Sequence, residues 1–485
     1  MTARVVRGEL RERGVTALTV LAFLLATLHL TLRLDREMVD VWDESIYATS
    51  ALEMYESRVW AITTFQGAVD YFNSKPPLNV WLIVGAFDRF GVGLVPLRLP
   101  AAIAAWLTSR VVFRWTRHVS GPAPAALAAL VLATTYPFLY VHAGRTANTD
   151  APLALVVTLV FVTVWRARRD AGAAIWLGPL AAAALMLKGP GALGFIVPMF
   201  AADVAARWRS GSFDRTWLGR VTAGGVIGVA PVVAWAIARW QFDGWTFLTR
   251  LVAHDVLNRA TTGIEGHAEP LHYYLLVLLR HHYDWLTVTV GALAVAPVVL
   301  QRGWVWLRRD ADVHGRGLVA GWLVATVLVP TLVPTKLAWY LTPFYPGAAV
   351  LTALAVHTAW QALRDSGHRG RAHALVALTV AAVLVVEGRL VYRSVVVLDL
   401  NRSAQGLLIA HADAVRGVRV FATSCPYPEA FLTRVAAGTC VPAADVAAAR
   451  RAAVAGDLWL DGATADVPGL AVIGRNRRAS LHRLP

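Results

Sequence analysis

Charge is scarce in this 485-residue chain: 16% of residues are Asp, Glu, Lys or Arg, while 57% are hydrophobic. Soluble domains carry about 25% charged residues to cover their surfaces, so that composition excludes an ordinary water-soluble body. Cysteine is nearly missing, with Cys425 and Cys440 the only pair. Two cysteines cannot build a disulfide scaffold, and their spacing offers no metal-ligand pattern, although a bond between them is possible. Acids are the scarcer sign of charge, 31 against 46 Lys plus Arg, giving a net +15. A basic balance of that size suggests nucleic-acid binding until the positions of the cations are read.

What the chain has instead is long apolar runs and a mean hydropathy of +0.52. Runs of about 18 residues or more reach across roughly 30 Å of hydrocarbon. We read eleven such spans, near 15–33, 97–116, 122–142, 151–166, 173–187, 190–206, 218–239, 284–306, 317–334, 338–362 and 372–391. The first, "VTALTVLAFLLATLHLTL", has no small-residue cleavage site and is read as a retained anchor. The N-terminus and the loops after every even-numbered span hold twenty arginines, among them Arg11, Arg117, Arg168, Arg207, Arg309 and Arg371. Three short connections on the opposite side hold one cation each: Arg145, Lys188 and Lys336. That is the positive-inside bias. It accounts for the basic balance without nucleic acid, and it predicts a cytoplasmic N-terminus in a plasma membrane. Arg389 and Arg393, near the outer end of the last span, run against it.

The predicted fold is therefore an α-helical polytopic membrane protein with about eleven transmembrane helices and further helices in its extracytoplasmic loops. A domain over 1–396 would carry large outer loops at 35–96 and 240–283. The first loop holds an amphipathic stretch at 43–57, a turn at "NSKPP", and "LNVWLIVGAF", which is too short to span and suits the interface. Residues 397–485 read as a small extracytoplasmic α/β unit, with strands at "VRVFATS", "DLWLDG" and "LAVIG" and a helix at "PAADVAAARRAAVA".

This topology puts "DVWDESIY", "NSKPP", "HAGRTANTD", "LKGP" and "PTKLAWY" on one outer surface. Ionisable groups at a membrane edge are functional candidates, and both signs meet here. Each has a structural reading as well. Asp43 and Asp150 suit helix N-caps, and Glu44 suits a first turn. Lys75 could snorkel, and Arg145 with Asp150 could be a structural ion pair. Lys336 and Tyr340, spaced i,i+4, would share a helical face. His254, Asp255, Arg259, His267 and Glu269 fall in the second loop, where solvent exposure competes with a divalent-metal site built on the two histidines and an acid.

The ordered set "WDESIYA", "YFNSKPPLNVWL", "LRLPAAIAAWLT", "AGRTANTDAPL", "LMLKGP" and "TKLAWYLTPFYPG" resembles the C-type membrane glycosyltransferases, over roughly residues 10–365. The resemblance is to the branch containing the lipid A aminoarabinose transferase and the protein O-mannosyltransferases. It implies transfer of a sugar, with inversion, from a polyprenyl-monophosphate donor to an acceptor hydroxyl on a lipid, glycan or protein outside the cytoplasm. On the matching positions it implies Asp43 as general base and picks out Lys75, Arg145 with Asp150, Lys188, Lys336 and Tyr340. We read the cations and the tyrosine, together with Arg259 of the second loop, as surrounding the donor phosphate, and Asp150 as a second acid. Asp40, Glu44, His254, Asp255, His267 and Glu269 would be supporting groups. Where the aminoarabinose branch has a metal-associated Glu before the lysine, this chain has Ser74, which puts a divalent metal in question. Two other readings stand beside the enzyme: a lipid-linked sugar transporter or flippase, and a membrane-anchored wall-polymer binding protein acting through its C-terminal unit.

Overall fold

Inside hydrocarbon every backbone N–H and C=O must be satisfied within the protein, and a helix does this along one segment. The computed structural model describes residues 3–73, 75–258, 261–262, 266–300, 316–397, 403–462 and 467–485. In it each of the eleven apolar runs is mostly helical over its described part. Six helices among the described residues are long and apolar enough to cross a membrane: Glu12–Thr31, Asp150–Ala167, Ala171–Lys188, Pro190–Ser210, Arg215–Asp243 and Arg369–Val397.

The third run departs from expectation. Helix α5 begins at Pro122 and stops at Ala133, where Thr134 turns its hydroxyl back onto the Leu130 carbonyl at 2.8 Å. A separate five-residue helix follows at Tyr136–Tyr140. Twelve residues rise only about 18 Å, so α5 does not reach across the bilayer core by itself.

Alanine sets how closely the bundle packs. Ala125, Ala126, Ala128 and Ala129 on α5 are buried against α1 (Ala3–Thr31), α4 (Leu94–Ser120) and the Tyr345–Asp365 helix. Without large side chains the backbones approach, and dispersion replaces the hydrophobic effect that lipid cannot supply. The helices α8 (Leu177–Lys188) and α10 (Arg215–Asp243) go furthest in this direction. Their crossing brings Gly178 onto Gly224 and Gly228 with no room for a Cβ on any of the three.

Two arginines join the far ends of α7 (Asp150–Ala167) and α9 (Leu193–Ser210). Arg168 and Arg207 each reach Asp203 at 2.8 Å, and Arg207 also donates to the Ala167 carbonyl. Loops read as lying on one side of the membrane therefore meet at one end of the bundle.

The loop helices lie at the other end. Helix α2 (Asp43–Ser57) is no amphipathic surface helix, because every residue from Glu44 to Met54 is buried. Helix α3 (Leu78–Phe90) has 13 residues and keeps Leu82 and Phe90 exposed, as suits an interfacial segment.

What covers α2 is the C-terminal unit. Apart from β1 (Thr64–Phe65) and β2 (Ala68–Val69), a short hairpin in the first loop, the strands belong to this unit. In it β3 (Arg419–Ala422) is parallel to β4 (Thr439–Pro442) and β5 (Leu458–Asp461), and with β6 (Ala471–Arg475) and β7 (Ser480–Arg483) the sheet runs in the order β4-β3-β5-β7-β6. Strand β7 is antiparallel to β5 and to β6. The three strands read from the sequence are present, together with β4 and β7. Cys425 and Cys440 are bonded, with Cα atoms 5.9 Å apart. Tyr47, Leu52, Val84 and Phe87 of the loop helices form one continuous core with Leu408, Phe431, Leu432 and Leu481 of this unit. Gln405 adds a two-point hydrogen bond to the backbone of Val39, at 2.8 and 3.0 Å.

Candidate active site

The segment 34–44 is shaped by a buried arginine. Arg98, on α4, is fully buried and donates to the carbonyls of Leu34, Glu37 and Met38. It also forks onto Glu44 at 2.7 and 3.1 Å. Glu44, equally buried, accepts further bonds from the backbone N–H groups of Asp40 and Ala147. A bidentate buried pair of this kind fixes geometry as well as charge. Glu44 is thus more than the first-turn decoration its position suggested: it ties the first loop to the 141–149 loop.

Asp43, one residue earlier, points elsewhere. The N-cap of α2 is Trp42 and has no side-chain cap bond, so the capping reading of Asp43 does not hold. Its carboxylate lies 3.5 Å from Lys75 Nζ. Lys75 in turn sits over the Tyr47 ring, 5.4 Å from the centroid. The turn carrying Lys75 is set by Asp70, whose Oδ1 accepts from the N–H groups of Phe72 and Asn73 and whose Oδ2 accepts from the Tyr427 hydroxyl. Burial pushes the Tyr47 hydroxyl well above the usual phenol range, so it stays protonated at neutral pH.

Asp150 is likewise not a cap. Thr149 occupies that position, and Asp150 is the first residue of α7, buried, with its Oδ1 against Lys188 Nζ. Lys188 lies 5.2 Å from the centre of the Tyr340 ring. The other Asp150 oxygen is buried with no hydrogen-bond partner.

Between the two acid–lysine pairs stands His142, which sequence reasoning did not single out. It stacks on Trp339, with centroids 3.7 Å apart and planes within 6°. Its Nε2 is 2.8 Å from Asp40, and its Nδ1 is buried without a partner. Its backbone is left-handed, at φ +52°, a conformation rare outside glycine and concentrated at functional sites. Burial alone would raise Asp40, but the hydrogen bond and charge of His142 hold its carboxyl below the usual range. Burial would lower His142, yet the hydrogen bond and charge of Asp40 carry it above the ordinary histidine value. No sequence periodicity announces a strained loop residue, so "HAGRT" gave no signal for it.

Several expected residues go elsewhere. Arg145 does not pair with Asp150. It is fully buried, donates to Glu37 at 2.6 Å and to the carbonyls of His29 and Leu32, and so secures the end of α1. Lys336 and Tyr340 do not share a helical face, because Lys336 precedes the 3₁₀ turn Ala338–Phe344 in extended chain. The Lys336 Nζ donates to Val333 O at 2.8 Å, while Tyr340 goes to Lys188. His267 lies beside Lys336, accepting the Lys336 N–H at its carbonyl, and Glu269 is exposed. Arg259, Ser74 and the side chains of His254 and Asp255 lie outside the described residues. Among the described residues no group of three or more His, Cys, Asp or Glu could hold a metal ion.

Comparison with known proteins finds relatives in sequence and in fold. Residues 74–235 match the family described as dolichyl-phosphate-mannose-protein mannosyltransferase. An undecaprenyl phosphate-alpha-4-amino-4-deoxy-L-arabinose arabinosyl transferase of Edwardsiella ictaluri is 30% identical over 320 residues, 64% of this chain and 54% of that protein. A protein of the same name from Pseudomonas aeruginosa is 25% identical, over 70% of this chain and 61% of its own length. The chain thus spans between half and two thirds of these relatives. The crystal structure of ArnT from Cupriavidus metallidurans bound to undecaprenyl phosphate has the same fold, with a TM-score of 0.70, 97% of each chain covered and 17% identity. The Archaeoglobus fulgidus oligosaccharyltransferase tethered to an acceptor peptide shares the fold more distantly, with a TM-score of 0.53 and 13% identity over 88% of this chain and 64% of that one. The chain is thus similar to the aminoarabinose transferases over about two thirds of its length, matches the protein mannosyltransferase family over residues 74–235, and shares its fold with the Cupriavidus metallidurans structure.

Proposed function

We propose that this protein transfers a sugar from a polyprenyl-monophosphate donor to an acceptor hydroxyl at the outer face of the membrane, with inversion and with Asp43 as general base. The observation that carries the reading is the meeting of Asp43–Lys75 and Asp150–Lys188–Tyr340 around His142, at one end of an apolar bundle. The relatives' names, which include undecaprenyl phosphate and dolichyl-phosphate-mannose, support a lipid monophosphate donor.

The chemistry asks for two things. The bond from the anomeric carbon to the phosphate oxygen breaks, and the electron pair leaves with the lipid phosphate. Lys75 and Lys188 stand where preorganised cations would stabilise that charge. The acceptor hydroxyl loses its proton as it attacks, and a placed carboxylate assists by roughly 10²–10⁴-fold. Donor phosphate arriving at Lys75 would take over that lysine's charge and release Asp43, which is a quarter exposed, to receive the proton. The unpartnered Asp150 oxygen would accept a hydrogen bond from a sugar or acceptor hydroxyl, and His142 Nδ1 would supply one. Arg145 and Glu44 hold the frame and touch no reacting atom in this scheme. The cationic bias of the opposite loops and the bonded cysteines support an outward site. Charge gathered at one end favours transfer over a flippase pathway along the spans.

The test is release of polyprenyl phosphate by the purified protein from a panel of polyprenyl-monophosphate sugars, with candidate lipid and glycan acceptors, with and without chelator. At least one donor should turn over in wild type, and Asp43→Asn should lower its rate by roughly 10²-fold or more. Equal rates in both proteins would remove Asp43 as the base. No release from any donor–acceptor pair, with donor binding intact, would turn the assignment toward transport.

A further inference from the structure

Arg389 and Arg393 violate the charge bias of this chain, and the structure brings a third arginine to them. The loop after α5, the start of the Tyr283–Leu300 helix and the end of the Arg369–Tyr392 helix enclose a cavity of about 310 Å³. Arg280, Arg389 and Arg393 line it, with His281, His282 and Asp284. One acid faces three guanidinium groups. Asp284 is committed to Arg389 at 2.7 Å, and among the described residues neither Arg280 nor Arg393 has an ion-pair partner. Arg393 is held in place over the Tyr136 ring, 4.6 Å from its centre.

We propose that this cavity is a binding site for the phosphate headgroup of an anionic lipid, separate from the sugar-transfer cluster and using none of its residues. Arginine suits the task because its planar fork matches two phosphate oxygens at once. His282 strengthens the assignment: it lines the cavity, is 6% exposed, and its Nδ1 has no hydrogen-bond partner. Burial lowers His282 to about 4, so at neutral pH it is an uncharged polar group, able to donate or accept toward a ligand. Burial, and then the charges of Arg280 and Arg393, also keep His281 below its ordinary value, so the net positive charge rests on the arginines.

A lipid fits better than a free anion because the walls continue as an apolar slope. Leu390 and Val386 line the cavity, and Leu384, Val385 and Val391 on the same helix are exposed, forming a track for an acyl chain beneath a headgroup. The site sits close to the reaction centre along the chain. Tyr136 stacks on Tyr140 at 5.5 Å, and His142 follows two residues later, so an occupied cavity would steady the loop that carries His142. Positive charge at this end of the last span, costly against the orientation rule, then has a ligand to answer for it.

The experiment uses the purified full-length protein in detergent. Thermal unfolding is followed while phosphatidylglycerol, phosphatidylcholine or inorganic phosphate is titrated in. Phosphatidylglycerol should raise the melting temperature of wild type, and Arg280→Gln with Arg393→Gln should weaken half-saturation at least roughly tenfold, the loss of charge-assisted bonds to phosphate. Arg280→Lys with Arg393→Lys should retain part of the response. A shift unchanged in the glutamine variant, or equal with phosphatidylcholine, overturns the site. Inorganic phosphate matching phosphatidylglycerol at equal concentration overturns the lipid assignment. Should the glutamine variant not fold, a photoreactive phosphatidylglycerol on wild type decides: cross-links within 280–285 or 386–393 support the cavity, and cross-links confined elsewhere reject it.

Discussion

Asp43 and Glu44 are neighbours of the same charge, yet the structure gives them opposite surroundings. Glu44 is fully buried in a fork from Arg98, whereas Asp43 keeps a quarter of its side chain exposed beside a lysine. Removing one partner of a buried pair leaves an uncompensated charge and costs about 3–5 kcal/mol. Glu44→Gln is therefore expected to lower stability by that order, seen as a clear drop in melting temperature. Asp43→Asn should leave the melting temperature nearly unchanged while it removes activity. A stable Glu44→Gln protein would mean the Arg98 fork is not essential to the frame. His142 makes a second prediction at this scale. Its pKa is raised above the unfolded value near 6.5 by Asp40, so its contribution to stability is fully present below about pH 6.5 and is lost as pH rises through its folded pKa. Asp40, lowered in the fold, stays ionised through that window and withdraws its own contribution only on acidification below about pH 4. Wild type should therefore lose melting temperature between roughly pH 6 and 8, and His142→Asn, which tolerates the left-handed backbone, should flatten that fall. An identical slope in both proteins would place the pH dependence in other groups.

At the scale of elements, the contact that admits least change is the crossing of α8 and α10. A Cβ at Gly224 would run into the Ile175 carbonyl, and one at Gly228 into that of Gly178. The spacing of those glycines, G-x-x-x-G, is the pattern by which membrane helices bring their backbones together. Gly224→Leu must part the helices, and overpacking of a tight site typically costs 1–3 kcal/mol. Melting-temperature measurement of Gly224→Leu beside Gly225→Leu is the check, because Gly225 has open space at its Cβ position. Only the first should be destabilised, and equal losses would show that helix propensity, not the crossing, matters. Lys188, about three turns along from Gly178, ends α8, so the crossing also sets where that lysine meets Asp150.

At the scale of the whole molecule, the C-terminal unit is a cover on the loop helices as much as a separate body. Phe431 and Leu432 share one core with Tyr47 and Leu52, and Tyr427 supports the turn of Lys75 through Asp70. Deleting residues 400–485 should expose the buried face of α2, so the truncated protein should extract from membranes as aggregate and lose donor turnover. A truncated chain that remains monodisperse and keeps wild-type turnover would show that the membrane part stands alone. The deletion is therefore no clean separation of an enzyme from a polymer-binding domain, since loss of activity follows from loss of the shared core on either reading.

Much of this protein was legible in the order of its residues. The length of the apolar runs determined helices, since a chain in lipid has few other ways to satisfy its backbone. The placement of arginine set one end of the bundle apart from the other, and alternating apolar residues marked three of the five C-terminal strands. The sequence also named both acid–lysine partners, though it paired Asp150 with Arg145 in place of Lys188. What it could not supply were the relations between distant segments. Arg98 lies 54 residues from Glu44, and Arg145 lies 108 from Glu37. Which acid is buried with a partner and which remains available to a substrate depends on the dielectric and the neighbours around each carboxylate. Those are properties of the packed space between helices, so only the tertiary structure could decide them.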